Sequence, residues 1–355
     1  LHKTLSKLAE NDPKNYSSYQ HGTAVPLYHH LVRAEGKLLA ISSPDAKGKI
    51  LRTALPHAKI SNVAQGHDFD SRLNLANLYL EAAVVDQSKA DDYLRQSLAA
   101  AEQAEKHLFK RQEAADSDKV GDEELQRLDK QRRHDLEHLG QVYLRLGKAG
   151  VPTSGQRAAT CFRTLINGSP VDKTNNGYYG HLAQSLLWEG KISRQSQPLR
   201  EALRQLVSLE KFIGNHEHFI EDVDYNGVGG YYLEESGIYI KSENILSMMG
   251  EAHFILARNA HGGSLEHLVH SIQYYHKAQQ QGKKGLHSYL SFAYLKLGEG
   301  LLRYEKEMQP DSPLPPLLQE KVAINLTGEM QPQEVVLQEA KACFVKSFSF
   351  ASCAI

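Results

Sequence analysis

Two carboxylates and an amide alternate near the middle of the chain and could bind a cation. Asp222, Asp224 and Asn226 are followed by a glycine, the order that begins a calcium-binding loop. Alternate oxygen ligands converge on a hard cation, and glycine permits the sharp turn that such a loop needs. Leu233 stands where the bidentate glutamate should close the loop. The sequence therefore leaves two hypotheses: a calcium site formed by Asp222, Asp224 and Asn226, or a polar, glycine-rich turn.

Histidines provide two further possible metal sites. His134 and His138 form the pattern H-x-x-E-H, which is similar to the inverzincin metalloprotease motif and would place both rings on one helix face. The pattern leads directly into an apolar helical segment, so an ordinary surface helix is favoured. His216 and His218 flank Glu217 and would face the same way on a strand, as ligands of a transition metal could. Since the chain has 18 histidines, a chance cluster is the simpler explanation there.

Residues 175–181, which read NNGYYGH, raise the question of an enzyme. Their Asn, Tyr and His side chains are types that α/α-toroid glycan lyases and hydrolases use in a central cleft. The alternative is a loop that leads into a helix, with Tyr179 packed in the core. The sequence contains no phosphate-binding loop, no Rossmann fingerprint and no G-x-S-x-G element. A non-enzymatic function is therefore favoured, and the question of an activity stays open.

A nine-residue pattern recurs along the chain and predicts helices. Residues 139–147 read LGQVYLRLG and residues 290–298 read LSFAYLKLG, with Leu, Tyr, Leu, Leu and Gly at matching positions. Weaker copies occupy residues 75–83, 182–190 and 249–257. Apolar residues in each copy fall three and four apart, which is one face of a helix. The central tyrosines of three copies are expected in the core: Tyr79, Tyr143 and Tyr294.

A second apolar segment follows each copy and predicts a second helix. These segments are residues 89–102, 157–165, 198–212, 265–278 and 339–348. Each copy is expected to form helix A of a pair, and each following segment helix B. Gly147, Gly190 and Gly298 end three of the copies, where a glycine would cap the helix C-terminus. Residues 40–70 contain Pro44 and Pro56 and are expected to be irregular.

The helix pairs resemble the Sel1-like and TPR families of helical repeats over roughly residues 70–350. The resemblance implies an all-α fold, an α-α superhelix (solenoid) of about five helix-pair repeats with two insertions. One insertion, near residues 103–135, is highly charged and predicts a solvated helical extension; the other, near residues 213–243, is rich in glycine and tyrosine. The predicted domains are an irregular or helical N-terminal segment over residues 1–70 and the repeat domain over residues 71–350.

Proteins of these families dock other proteins, so the resemblance implies a scaffold or adaptor with a concave groove. The groove would be lined by helix A residues outside the apolar face, of which the candidates are Asn77, Gln141, Gln184, Glu251 and Lys296. In the second insertion, Tyr231 and Tyr232 offer large amphipathic contact surfaces to a partner. A bacterial envelope or secretion assembly is one expected setting. The alternative function is a carbohydrate-active α/α-toroid enzyme.

Composition narrows the classes of partner. Lys plus Arg number 41 and Asp plus Glu 42, which gives a net charge of -1. Nucleic-acid-binding proteins usually carry a basic excess, so a nucleic-acid partner is disfavoured. No apolar run is long enough to predict a transmembrane helix. The cysteines Cys161, Cys343 and Cys353 lack metal or redox spacing, and no cofactor is expected apart from the calcium of the first hypothesis. The chain begins at Leu1, which leaves N-terminal processing and the compartment, cytoplasmic or periplasmic, open.

Overall fold

The described part of the chain is helical. The computed structural model describes residues 31–32, 34–36, 38–39, 41–64, 68–117, 122–172, 175–214, 241–259, 265–307 and 332–353, and these residues contain no strand. The helices are α1 (Pro44–Ala64), α2 (Phe69–Val85), α3 (Ala90–Ser117), α4 (Asp122–Lys148), α5 (Ser154–Ile166), α6 (Asn176–Ser193), α7 (Ser196–Gly214), α8 (Ser242–Asn259), α9 (Leu265–Gln280), α10 (His287–Glu307) and α11 (Pro332–Ser352). The predicted all-α class is confirmed for these residues.

Helices that follow one another in the chain pack as pairs. The five most extensive contacts between helices join α2 to α3, α4 to α5, α6 to α7, α8 to α9 and α10 to α11. The first helix of every pair contains one copy of the nine-residue pattern, and the second contains the apolar segment predicted to follow it. We name α2, α4, α6, α8 and α10 the A helices, and α3, α5, α7, α9 and α11 the B helices.

The described helices belong to two compact units, which divide between Pro170 and Val171. The first unit contains α1 to α5, and the second contains α6 to α11. Each unit buries the apolar faces of its own helices, which is the main favourable contribution to folding. In the first unit α1, α2 and two residues that precede α1 share a core of nine residues: Val32, Leu39, Leu51, Ala54, Ala58, Leu75, Leu78, Tyr79 and Ala82. In the second unit one continuous core draws on all six helices, from Ala183 in α6 to Cys343 in α11.

A constant register joins helix A to helix B in three of the pairs. The central residue of the A helix contacts the residue fourteen positions later on the B helix. The three contacts are Tyr79 with Tyr93 (ring centroids 6.3 Å apart), Tyr143 with Arg157 (hydroxyl to guanidinium 3.3 Å) and His253 with His267 (Nδ1 to Nδ1 3.1 Å). Because the rise per residue of a helix is fixed, equal spacing means that corresponding residues of helix A and helix B face each other in these three pairs.

The central tyrosines lie in the core, as predicted. Tyr79, Tyr143 and Tyr294 are 6%, 0% and 8% exposed. The hydroxyls of two of them reach the preceding B helix: Tyr143 bonds Glu105 at 2.9 Å, and Tyr294 lies 3.0 Å from Nε2 of His276. A tyrosine at this position therefore fills the core with its ring and links neighbouring pairs through its hydroxyl.

The prediction that Gly147, Gly190 and Gly298 cap helix C-termini is wrong. All three lie inside helices, and none has a positive φ. The left-handed residue after α6 is Arg194, with φ 57°. The glycines serve close approach instead, since a Cβ added at Gly298 would lie 3.0 Å from the ring of Phe344 on α11. The repeated pattern identified a glycine at the end of three copies, but it could not show that a B helix packs closely against each one.

The expectation of irregular structure over residues 40–70 is also wrong, because α1 occupies Pro44–Ala64. Pro44 is the first helical residue, where the missing N–H needs no partner inside the helix. Pro56 lies within the helix, where it removes one backbone hydrogen bond. Tertiary packing outweighs this loss, since Leu51, Ala54 and Ala58 are buried in the core of the first unit.

The charged segment near residues 103–135 extends two helices, α3 at its C-terminal end and α4 at its N-terminal end. Residues 103–117 belong to α3 and residues 122–135 to α4, as the predicted helical extension requires. Most of its side chains are exposed, but Asp135 is 1% exposed. Gln131 donates to its carboxylate at 2.7 Å, and the Arg111 guanidinium lies 3.4 Å away. These two groups compensate a buried charge that would otherwise be strongly unfavourable.

Candidate protein-docking face

The third and seventh residues of the nine-residue pattern share one side of each A helix, because residues four apart are neighbours on a helix. We name this side of the A helices the A-helix face and describe it separately in each unit. Its residues are Asn77 and Glu81 in α2, Gln141 and Arg145 in α4, Gln184 and Trp188 in α6, Glu251 and Ile255 in α8, and Phe292 and Lys296 in α10. The five groove residues predicted from the sequence are all half-buried: Asn77, Gln141, Gln184, Glu251 and Lys296. They therefore stand beside the core and not within it.

In the first unit the A-helix face is an ion-pair network. Arg145 of α4 donates from Nη1 to Oδ1 of Asn77 at 3.0 Å and pairs through Nη2 with the carboxylate of Glu81. Lys47 of α1 lies 3.6 Å from the other oxygen of Glu81. The structure thus brings Asn77 together with charges on two other helices. The Arg145 guanidinium already binds two partners within the protein, so a ligand would have to compete for it.

In the second unit the A-helix face combines aromatic rings with lysines. Nζ of Lys191, near the end of α6, lies 3.4 Å from the Glu251 carboxylate of α8 and 4.2 Å from the centroid of the Trp188 ring. The ammonium therefore interacts with a carboxylate and with an aromatic face at once. Gln184 lies one helical turn before Trp188 on the same side of α6.

Exposed aromatic rings continue the A-helix face along α10. Phe292 and Tyr289 are 45% and 52% exposed and lie three residues apart on one side of the helix. The Phe292 ring contacts Phe254 of α8, with centroids 5.6 Å apart. Nζ of Lys296 lies 5.6 Å from the centroid of the Phe292 ring and 2.7 Å from the Glu299 carboxylate. The third position of the pattern is polar in the other four A helices and aromatic here.

The polar groups beneath the face of the first unit are bonded to one another. Tyr143 donates to Glu105, and Arg157 pairs with both Glu105 and Glu102. Burial, assisted by the Glu105 charge, raises the pKa of Tyr143 far above its ordinary value. Burial also raises the pKa of the Cys161 thiol to about 12. Burial thus disfavours the ionised form of both groups, and the bonds of Tyr143 and Arg157 to glutamates of α3 join α3, α4 and α5.

The H-x-x-E-H segment lies on α4, where the rings of His134 and His138 stack with centroids 4.2 Å apart. A hydrogen-bonding interaction with neighbouring Asp135 raises the pKa of His134. Within the described ranges, no third side chain joins these two histidines in a possible metal site. The His134 side chain is exposed, so the segment lies at the surface of α4; the metalloprotease hypothesis is not tested by this.

The NNGYYGH segment forms the beginning of α6. Asn175 and Asn176 are buried, and the Oδ1 of Asn175 accepts from the backbone N–H of Asp172 at 2.9 Å. The Oδ1 of Asp172 in turn accepts a hydrogen bond of 2.9 Å from the backbone N–H of Asn175. Tyr179 packs against the core of the second unit, as the alternative to a toroid cleft predicted. The two asparagines thus organise a helix start.

The remaining candidates lie outside the described residues. They are the calcium ligands Asp222, Asp224 and Asn226, the tyrosines Tyr231 and Tyr232, and the segment from His216 to His218. The calcium hypothesis and the role of the second insertion in binding stay predictions.

Sequence reasoning overlooked three residues of the A-helix face: Arg145, Trp188 and Phe292. The pattern itself contained the signal, since each stands at the third or seventh position and therefore shares a face with a residue that was selected. Selecting residues by polarity left out the aromatic members, although aromatic rings are enriched at protein interfaces.

Comparison of the chain with models of protein families, with curated proteins and with solved structures found no match. Among the residues that the structure describes, no helix combines the length and apolar character needed to cross a bilayer.

Proposed function

We propose that this chain is a protein-binding scaffold of TPR- or Sel1-like helix pairs, which docks a polypeptide on the A-helix face of the second unit. The constant register supports a repeat, because three pairs place the central A residue against the residue fourteen positions later. Helix-pair repeats stack so that each contacts its neighbours, which leaves one face of the A helices available.

One observation carries the proposal: Phe292 is 45% exposed at a position that is polar in the other four A helices. Scattered exposed apolar residues are normal, but Phe292 is not isolated. Tyr289 lies beside it on α10, and Phe254 contacts its ring. A cluster of rigid aromatic rings with polar edges is the usual composition of the central part of a protein interface.

The charges beside these rings indicate the chemistry of the partner. Lys296 and Lys191 both lie over aromatic rings, where a ligand carboxylate could meet an ammonium and an apolar surface together. A partner segment that alternates apolar side chains with Asp or Glu would contact both the aromatic rings and the ammonium groups. The A-helix face of the first unit is less suited, because none of its residues, Asn77, Glu81, Gln141 and Arg145, is aromatic.

Site-specific photocrosslinking tests the proposal in the full chain. A photoreactive phenylalanine would replace Phe292 in one variant and Phe348 in a matched control. Phe348 is an aromatic residue of B helix α11 and, at 77%, is even more exposed. Crosslinked proteins would be identified by mass spectrometry and purified. Calorimetry would then measure the Kd of each for the wild-type chain and for Phe292→Ser, Lys296→Glu and Phe348→Ser.

We expect a crosslink from position 292, and a loss of about 2 kcal/mol, or roughly thirtyfold in Kd, in Phe292→Ser. Lys296→Glu should weaken binding further as salt is lowered, because it repels the partner's carboxylates. Equal crosslinking from 348, or unchanged affinity in Phe292→Ser with a loss in Phe348→Ser, would move the interface away from the A helices and refute the proposal.

A further inference from the structure

Three histidines of the second unit converge between α8 and α9. His253 lies on α8, and His267 and His270 lie one turn apart on α9. One ring nitrogen from each lies within 4.8 Å of the others. In the part of the chain that the structure describes, no other group of three His, Cys, Asp or Glu side chains comes as close.

The separations of the nitrogens suit a tetrahedral ion. Bonds of about 2.0–2.1 Å from Zn²⁺ to imidazole set two ligand nitrogens about 3.3 Å apart. The Nδ1 atoms of His253 and His267 are 3.1 Å apart. The limit of 4.8 Å on the group means that the third ring must move inward by up to about 1.5 Å. A change of side-chain torsion at His270 provides a movement of this size.

The chemical state of two of the rings, His253 and His267, also suits metal binding, since a metal binds neutral imidazole. Burial, followed by the two neighbouring histidines, lowers the pKa of His253 to about 4. Burial lowers the pKa of His267 as well, with Glu266 opposing the shift and Arg200 of α7 supporting it. The Nδ1 atom of His270 is buried and lacks a hydrogen-bond partner. An unsatisfied buried nitrogen is unfavourable unless something binds it.

The cluster departs from the other helix pairs at matching positions. His253 stands where the other A helices have Tyr79, Tyr143, Leu186 and Tyr294. His267 stands, by the register of fourteen, where two B helices have Tyr93 and Arg157. In this pair, therefore, the central A-helix residue and its B-helix contact are both histidines, and His270 adds a third imidazole. A packing role alone would not require three ring nitrogens at the same point.

Hydrogen bonding without a metal is the competing explanation. One neutral imidazole can donate to the other at the 3.1 Å contact, and Tyr274 stacks on His253 with ring centroids 5.6 Å apart. This arrangement satisfies two of the rings and leaves Nδ1 of His270 without a partner. A metal ion would engage all three.

We propose that His253, His267 and His270 bind a divalent transition-metal ion, with Zn²⁺ as the ion that their geometry fits best. Three imidazoles leave a fourth position of a tetrahedral ion for water or a ligand from outside the cluster. The bound ion links α8 to α9 and so fixes one helix pair of the second unit. The site does not depend on the A-helix face, and neither proposal requires the other.

Metal titration of the full chain tests the site. The protein would be freed of metal with a chelator, then titrated with Zn²⁺ by calorimetry and with Co²⁺ by visible absorption. Three variants are compared: His267→Gln, His270→Gln, and the double change of both. The matched control is the double change His134→Gln with His138→Gln, which also removes two histidines one turn apart on a helix. Circular dichroism checks the helical content of every variant.

We expect one Zn²⁺ per cluster, the intense visible bands of tetrahedral Co²⁺, and a melting temperature that rises with Zn²⁺. The double variant in α9 should lose all three signals, and the control should keep them. X-ray absorption of the wild-type zinc protein gives an independent count, since it should show three imidazoles at about 2.0–2.1 Å. Absence of binding in the wild type, a spectrum without three imidazoles, or full retention of zinc in the double variant would overturn the proposal.

Discussion

Replacing Gly190 with alanine places a methyl group in space that Leu199 occupies. The new Cβ would lie 2.5 Å from Cγ and 2.7 Å from Cδ2 of Leu199, with the Gln195 carbonyl oxygen 3.3 Å away. Leu199 is 0% exposed, so it cannot turn towards solvent. The start of α7 must therefore move away from α6, or Leu199 must leave its preferred rotamer.

Two opposing effects set the magnitude of this change. Forcing an extra methylene into a packed core costs about 1–3 kcal/mol, and alanine in place of glycine inside a helix returns about 0.5–1 kcal/mol. The expected net loss in the free energy of unfolding is about 0–2.5 kcal/mol. For a unit of this size, that loss lowers Tm by at most about 10 °C.

Gly48→Ala is the control, and it should change the free energy of unfolding in the opposite direction. Gly48 also lies inside a helix, but its added Cβ would meet only Cγ1 of Val85 at 3.6 Å, an ordinary contact. This variant should gain about 0.5–1 kcal/mol. Differential scanning calorimetry of both variants measures the two shifts. A Gly190→Ala variant as stable as Gly48→Ala would refute the argument that close helix approach requires the glycine.

Two further predictions concern the hydrogen bond of Tyr143 beneath the A-helix face of the first unit and the pKa of His276. Tyr143→Phe should lower stability by about 1 kcal/mol in thermal melts, because it removes the hydrogen bond to Glu105, whereas exposed Tyr289→Phe should change it little. Burial and then the Lys346 charge lower the pKa of His276, so the folded state binds fewer protons there and should lose stability as pH falls below about 6.5. Lys346→Met should raise the pKa of His276 in NMR titration, and an unchanged pKa would contradict this cause.

The helix pairs could be predicted from the sequence because their signal is local. The apolar period of LGQVYLRLG identified α4, and its weaker copies identified the other A helices. The core positions of Tyr79 and Tyr143 followed from the same period. The period could not identify α1, because Pro44 and Pro56 are local signals against a helix that tertiary burial overrides.

The candidate sites depended much more on tertiary contacts. Polar positions beside the core, such as Asn77 and Glu251, could be selected by counting along a helix. Their partners could not, because Arg145 and Lys191 lie 68 and 60 residues away along the chain. The H-x-x-E-H motif is recognisable from the sequence because its two histidines lie four residues apart, whereas the cluster of three histidines is divided between two helices.

The sequence by itself determined the all-α class of the described residues and the order of the five helix pairs along the chain. Those properties follow from the spacing of apolar residues within single helices, which one chain displays without any partner. Only the tertiary structure decided what the helices bring together: the closeness of Phe344 to Gly298, and the meeting of His253 with His267 and His270. Such contacts depend on the depth and angle at which two helices pack, and local periodicity leaves both undetermined.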